Sequence, residues 1–342
     1  MRLLRAGVTD PALGAHLTET AGGRLLDPPG GHLNTADLIW MNGDFVAWED
    51  AKVHVLTHAL HYGTGVFEGI RAYDTPDGPA VFRHREHLDR LKRSAELYHM
   101  DLPYDTEQLR DATHELIARN GLRSCYIRPI AYRGFGPMGL DPLDNPVEVS
   151  IAAYEWGAYL GEEGKQRGIR AKVSPWRRIS PEALIPHAKA SGQYLNSVLA
   201  KVDSRKAGYE EAILLDQHGN VCEGSGENIF LVRDGVIATP QHSASILDGI
   251  TRKSVITISR DLGFTVEERD VARAELSLAD EVFFTGTAAE LVPVREIDDR
   301  PVAAGEPGEI TRAVQKVFDD ALCGREARYA EWLDVVRVPS RA

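Results

Sequence analysis

The segment Ile185–Tyr194, reading I-P-H-A-K-A-S-G-Q-Y, places the tightest local constraint on this chain. Lys189 lies between two alanines, with Pro186 three residues before it and Ser191-Gly192 just after. Beyond it, Leu195, Val198, Leu199 and Val202 recur at helical spacing, so a helix follows with Ser191 as its expected cap. The lysine therefore stands at the mouth of a helix among small residues, where a bulky group can lie against it. A lysine amine attacks a carbonyl only when its pKa falls, through burial or a nearby cation. Without such a setting, Lys189 reads as a solvated side chain.

A length of 342 residues suits two domains or one large one with a full core. Hydrophobic content of 43% and charged content of 26% are those of a soluble globular protein. The net charge of −12 argues against a nucleic-acid partner, because phosphate contacts need a basic face. Cys125, Cys222 and Cys323 are far apart and form no C-x-x-C, which fits a reduced, cytoplasmic setting. No apolar run approaches the roughly 18 residues of a membrane span. The N-terminus lacks an apolar signal core, so no targeting peptide is expected.

Residues 1–35 are rich in glycine and proline and read as a flexible extension. Asn42-Gly43 is a tight turn between strands at Leu38–Trp40 and Phe45–Trp48. In residues 53–73 the glycines Gly63, Gly65 and Gly69 speak against a regular helix and let backbone approach a ligand. His54, His58 and His61 stand without acidic or cysteine ligands at metal spacing, so no metal is expected. Helices are expected over Phe82–Leu97 and Leu109–Arg119. A strand over Cys125–Tyr132 puts Tyr126 and Arg128 on one face, and Gly134–Leu140 is a glycine-rich loop. Later strands fall at Val147–Ala153, Ala212–Leu215, Ile229–Val232 and Glu281–Phe284, with helices opening at Gly249-Ile250-Thr251 and spanning Ile310–Leu322. This gives a small α/β domain over 36–152, a connector over 153–166 and a large domain over 167–338.

Three features converge on one ligand type. The junctions Gly249-Ile250-Thr251 and Gly286-Thr287-Ala288 expose backbone N–H groups beside a hydroxyl, which suits a phosphate or carboxylate. Glu223, between a hairpin and a strand, is held on a scaffold. An acid opposite a pyridine nitrogen keeps that nitrogen protonated, as pyridoxal phosphate needs when it accepts electrons. With Lys189 as the amine that bonds an aldehyde, the set is complete. Taken singly, Glu223 is a surface carboxylate and the junctions are ordinary turns.

The runs E223-G-S-G-E-N-I-F, I237-A-T and L247-D-G-I-T-R resemble the class IV pyridoxal-phosphate aminotransferase pattern. M41-N-G-D-F, H58-A-L-H-Y-G-T-G-V-F-E-G-I-R-A-Y, F82-R-H-R-E-H-L, Y126-I-R-P, W156-G-A-Y-L-G, A188-K-A-S-G-Q-Y and F284-T-G-T-A-A-E resemble its bacterial branched-chain branch. The similarity spans about Ala36 to Asp334. It implies an α/β (α+β) fold of type IV, with the cofactor in the cleft between two domains. It implies that Lys189 bonds the cofactor and shuttles the proton, that Glu223 meets the ring nitrogen, and that Tyr194 meets the 3′-oxygen. Arg90, rather than Arg83 or Arg85, matches the phosphate-binding arginine, with Gly249, Ile250, Thr251, Gly286 and Thr287 completing the cup. Thr287, Ala288 and Tyr126 would take the substrate α-carboxylate, and Arg128 the side-chain carboxylate of glutamate. Phe67, Gly69, Trp156 and Tyr159 would line an apolar pocket. Tyr62 and the loop from Met138 to Leu140 would come from a partner subunit, making a homodimer the smallest competent unit and leaving a hexamer open.

The implied reaction moves the amino group of leucine, isoleucine or valine to 2-oxoglutarate in ping-pong fashion. Alternatives on the same fold are a D-amino-acid or R-selective amine aminotransferase and an aminodeoxychorismate lyase. A protein that only stores the cofactor is a further alternative, at odds with the full set of substrate residues. The loop R133-G-F-G-P-M-G-L departs from the Gly-Asp-Val-Gly-Met-Gly-type run of the bacterial branch, which points to Arg133, Phe135 and Pro137 as residues that reshape the pocket mouth.

Overall fold

The computed structural model describes residues 36–157 and 160–337, so the expected extension over 1–35 and Tyr159 lie outside the described residues. The first part of the chain supplies strands β1 (Leu38–Met41), β2 (Asp44–Ala47), β3 (Gly65–Phe67), β4 (Ile70–Thr75), β5 (Gly78–Phe82), β6 (Cys125–Arg133) and β7 (Val147–Tyr154). Between them lie α1 (His58–Tyr62), α2 (His84–Leu97) and α3 (Thr106–Arg119). The turn at Asn42-Gly43 is as the sequence indicates: both residues take positive φ, and Met41 pairs with Asp44. Leu88, Leu91 and Ala95 of α2 pack with Leu109, Leu116 and Ile117 of α3 against Ile70, Val81, Ile127 and Val149 of the sheet.

Two helix starts differ from expectation. Phe82 ends β5, and Arg83, with φ of +49°, turns the chain before α2 begins at His84. Helix α3 begins ahead of Leu109 because Asp105 and Gln108 cap it reciprocally, at 2.8 and 2.9 Å.

After the connecting segment and α4 (Gly161–Arg167), the second sheet forms from β8 (Ile169–Arg177), β9 (Glu211–Leu215), β10 (Val221–Gly224), β11 (Asn228–Arg233), β12 (Val236–Pro240), β13 (Val266–Arg269), β14 (Glu281–Gly286), β15 (Glu290–Ile297) and β16 (Arg300–Pro301). Its order is β10-β9-β8-β15-β14-β11-β12-β13, and a further pairing of Glu223 with Asn228 joins β10 to β11, closing a ring of strands. Helices α5 (Tyr194–Lys206), α6 (Ile250–Asp261) and α7 (Glu309–Leu322) complete this part. Strands β11 and β14 are buried on both faces: Ile229, Val282 and Phe284 fill the ring, whereas Phe230 and Phe283 pack under α6 and α7 with Val255, Val314 and Phe318. That is why they read as continuous apolar runs.

The last strand, β17 (Leu333–Val335), returns to the first sheet and pairs with β5. Asp334 on it accepts from Arg110 at 2.6 and 2.7 Å and lies 3.0 Å from His84 and 3.1 Å from His114. Strand β17 is thus pinned to the first sheet, although it falls within the span 167–338 expected for the large domain.

Candidate active site

Lys189 is fixed through its backbone before its side chain does anything. Its carbonyl accepts from Phe67 N of β3 (3.0 Å), and its N–H donates to Ser94 of α2 (3.1 Å). The next residue, Ala190, bridges to Val66. A single 3-10 turn, Ser191–Gln193, leads into α5, and Ser191 forms no capping hydrogen bond, contrary to expectation. What holds this turn is close backbone approach: Gly192 N donates to Gly63 O (3.2 Å), and a Cβ on Gly63 would lie 2.8 Å from Gly192 Cα. The Lys189 amine is 2.7 Å from the Tyr194 hydroxyl and 5.2 Å from the centre of the Phe67 ring.

Lys189 and Tyr194 line a small pocket whose other walls include Arg178, Ser197, Glu223, Asn228 and Leu247. Glu223 Oε2 accepts from Leu247 N (3.0 Å) and Asn228 Nδ2 (3.2 Å), while Oε1 faces Arg178 Nε at 2.8 Å. Burial raises the Glu223 pKa, against the opposing pull of the Arg178 charge. The carboxyl is therefore held in place yet retains acceptor capacity toward the cavity. Arg178 was not singled out from the sequence. It is 45 residues from its partner, and a W-R-R run carries no local sign of burial.

Arg90 is buried, with Nε and Nη2 forked on Glu68 at 2.6 and 2.8 Å and Nη1 donating to Asp248 O (2.9 Å). His87 lies 2.7 Å from the same carboxylate. Burial alone would raise Glu68; the Arg90 guanidinium and His87 instead hold it well below the usual carboxylate range. Asp248 precedes Gly249, the N-cap of α6, so Arg90 sits against that helix N-terminus. The first N–H groups of a helix, here those of Ile250 and Thr251, have no partner within it and favour an anion. A Cβ on Gly249 would lie 1.9 Å from Asn228 Oδ1, so this cap has to be glycine. Gly286 ends β14, and Thr287 and Ala288 follow in the half-buried turn to β15. Behind them the buried Thr285 hydroxyl has no partner among the described residues.

On the opposite side, Tyr126 and Arg128 project together from β6, as strand period requires, and Arg128 Nη2 donates to the Tyr126 hydroxyl (3.0 Å). Arg128 lies 4.9 Å from the Phe67 ring centre, and its buried Nε has no partner among the described residues. Trp156 meets Tyr126 edge-on at 4.5 Å. A Cβ on Gly69 would fall 2.0 Å from the Tyr126 hydroxyl, so Gly69 makes room for that phenol.

Tyr62, Met138 and Leu140 are exposed and do not join these residues within one chain. His58 links the two stretches: its ring meets Tyr62 (4.5 Å), and Nε2 reaches Gly139 O (2.7 Å). Arg133, expected to alter the pocket mouth, is buried and donates to the carbonyls of Asn145 (3.0 Å) and His99, fixing the base of the loop instead. Glu68 and Arg178, like Asn228 and Glu227, carry no role in the sequence pattern.

A family model for "Amino-transferase class IV" matches residues 65–297. A branched-chain-amino-acid aminotransferase of Escherichia coli K12 is 48% identical over 302 residues, 88% of this chain and 98% of that protein. The Pseudomonas aeruginosa protein of the same name is 46% identical over 300 residues, 88% of this chain and 97% of its own length. Among solved structures, the E. coli branched-chain amino acid aminotransferase superposes with a TM-score of 0.87 at 47% identity, covering 89% of this chain and all of that one. The Thermobaculum terrenum branched-chain amino acid aminotransferase in its PLP-bound holo form gives a TM-score of 0.83 at 36% identity, covering 89% of this chain and 99% of that one.

Proposed function

The chain belongs to the class IV aminotransferases, and from that premise we propose that it moves the amino group of L-leucine, L-isoleucine or L-valine to 2-oxoglutarate with pyridoxal phosphate as cofactor. The observation that carries this reading is the placement of the Lys189 amine and the Glu223 carboxyl on one cavity. The donor set fits the cofactor: an amine for its aldehyde, an acid for its ring nitrogen, and the α6 N-terminus for its phosphate.

When bound, the cofactor supplies an aldehyde that accepts an amine and a protonated ring that withdraws electrons from the substrate Cα. Lys189 Nζ would hold the cofactor at its aldehyde and would take the proton from the substrate Cα. Tyr194 orients that amine. Glu223 keeps the ring nitrogen protonated, and Arg178 steadies Glu223. Arg90, Ile250, Thr251 and Thr287 hold the phosphate end, with Glu68 fixing Arg90. Thr287 and Ala288 offer N–H groups to the α-carboxylate, helped by Tyr126. Phe67, Gly69 and Trp156 form the apolar wall for a branched side chain, while Arg128 meets the second carboxylate of glutamate.

The assembly proposed is a homodimer. Leu195, Val198, Leu199 and Val202 form an exposed apolar stripe on α5, whose buried side is Ser197, Ala200 and Ser204. Val55, Leu56, Leu60, Tyr62, Met138 and Leu140 are exposed as well. Large apolar surfaces of this kind mark interfaces, and Tyr62, Met138 and Leu140 are the residues a partner would lend. Three free cysteines suit a reducing, cytoplasmic setting.

The test is to add L-leucine to the purified yellow protein and then 2-oxoglutarate. Loss of the cofactor absorbance and its return, with 4-methyl-2-oxopentanoate and glutamate as products, supports the reading. No change with leucine, or pyruvate release from aminodeoxychorismate, overturns it.

A further inference from the structure

Glu290 opens β15, one residue beyond the 287–289 turn, and has φ of +61°, a conformation that non-glycine residues rarely adopt. Its surroundings over-determine it. Oε1 accepts from Arg71 (3.2 Å) and from the Tyr73 hydroxyl (3.0 Å), both on β4 of the first sheet. Oε2 accepts from Lys165 of α4 (2.6 Å). Lys165 also pairs with Asp319 of α7 (2.9 Å). Nη2 of Arg71 donates to Trp156 O (2.9 Å), in the segment that connects the two sheets. Two cations and two carboxylates thus form a neutral cluster, with Arg71 and Glu290 each only 13% exposed. Burial and the Glu290 charge raise the Tyr73 phenol well above its ordinary range, so it donates to the carboxylate as a neutral hydroxyl.

This one carboxylate ties together three parts that the chain keeps apart: the first sheet, the connecting segment that carries Trp156, and the turn bearing Thr287 and Ala288. Arg71 is also the register partner of Tyr126, whose ring Trp156 meets. We propose that Glu290 is a positioning residue: through Arg71 and Lys165 it sets the distance between the α-carboxylate-binding turn and the Tyr126–Trp156 wall. The inference rests on the proposed aminotransferase reading, in which that turn receives the substrate carboxylate.

The cluster touches neither Lys189 nor Glu223, so its loss weakens carboxylate binding and leaves the resting cofactor as it was. The experiment uses the holoenzyme and its Glu290→Gln and Glu290→Asp variants, with 4-methylvaleric acid as an unreactive probe of the turn. For Glu290→Gln, the probe's Kd and the KM values for leucine and 2-oxoglutarate all rise together, by about tenfold, the scale of one charge-assisted hydrogen bond. The cofactor absorbance at rest stays that of wild type, and Glu290→Asp recovers part of the binding. Wild-type Kd and KM values in the Gln variant, with only its melting temperature lowered, overturn the inference and leave a structural stitch. Failure of the Gln variant to fold moves the test to Glu290→Asp, for which unchanged probe binding has the same meaning. A wild-type enzyme that does not transaminate leucine removes the underlying reading, and this inference with it.

Discussion

The groups that flank Lys189, Glu223 on the second sheet and Arg128 beyond the Phe67 ring on the first, are held differently. On the second-sheet side, Glu223 has Leu247, Asn228 and Arg178 around it, and the β10–β11 pairing that carries it closes a ring of strands. On the first-sheet side, Arg128 has, among the described residues, one hydroxyl partner, a buried Nε without one, and two aromatic faces around it. The first arrangement suits a group that never changes; the second suits substrates that alternate between an apolar and a charged side chain. A donor already satisfied by the protein gains little from a ligand, whereas an unsatisfied one gains a full charge-assisted bond.

The contrast can be broken most severely at Lys189. Lys189→Ala is expected to lower transamination by at least about 10⁴-fold while circular dichroism and melting stay near wild type, because the half-buried side chain adds little to packing. Next comes Glu223→Gln, measured by single-turnover rates with leucine. The chemical step slows by about 10²-fold, and stability falls by about 3 kcal/mol because Arg178, 8% exposed, loses its counter-charge. An unchanged rate would remove Glu223 from the ring nitrogen.

Arg128→Ala sharpens the other side. The kcat/KM for 2-oxoglutarate and glutamate should fall by about 30-fold and that for leucine by less than about threefold, since only the former bring a second carboxylate. Equal losses would make Arg128 a structural residue.

The smallest effect concerns Glu227, which lines the same cavity. Burial and the neighbouring Glu211 push its pKa up to about 8, against the pull of Lys201. A carboxyl whose folded pKa lies above its unfolded value adds stability below the unfolded pKa and loses it as pH rises through the folded one. Wild-type melting temperature should therefore drop between about pH 5 and pH 8, and Glu227→Gln should flatten that slope. A slope that survives the substitution assigns it to another group.

Local patterns gave much of this away. Asn42-Gly43, the helical stretches of α2 and α3, and the glycine junction at α6 each depend on residues close in sequence, where backbone preference acts. The helical spacing of Leu195, Val198, Leu199 and Val202 identified α5 correctly but not its exposed face, because periodicity reports a stripe and not what covers it. Glu68 with Arg90, Arg178 with Glu223 and Arg71 with Glu290 meet only after the sheets have formed, 22, 45 and 219 residues apart. Their partners are set by topology, as is the return of β17 to the first sheet.

The most direct measurement is borohydride reduction of the holoenzyme followed by peptide mass spectrometry. The account predicts one added phosphopyridoxyl group, on the peptide that contains Lys189. A group found on another lysine, or none at all, would contradict it.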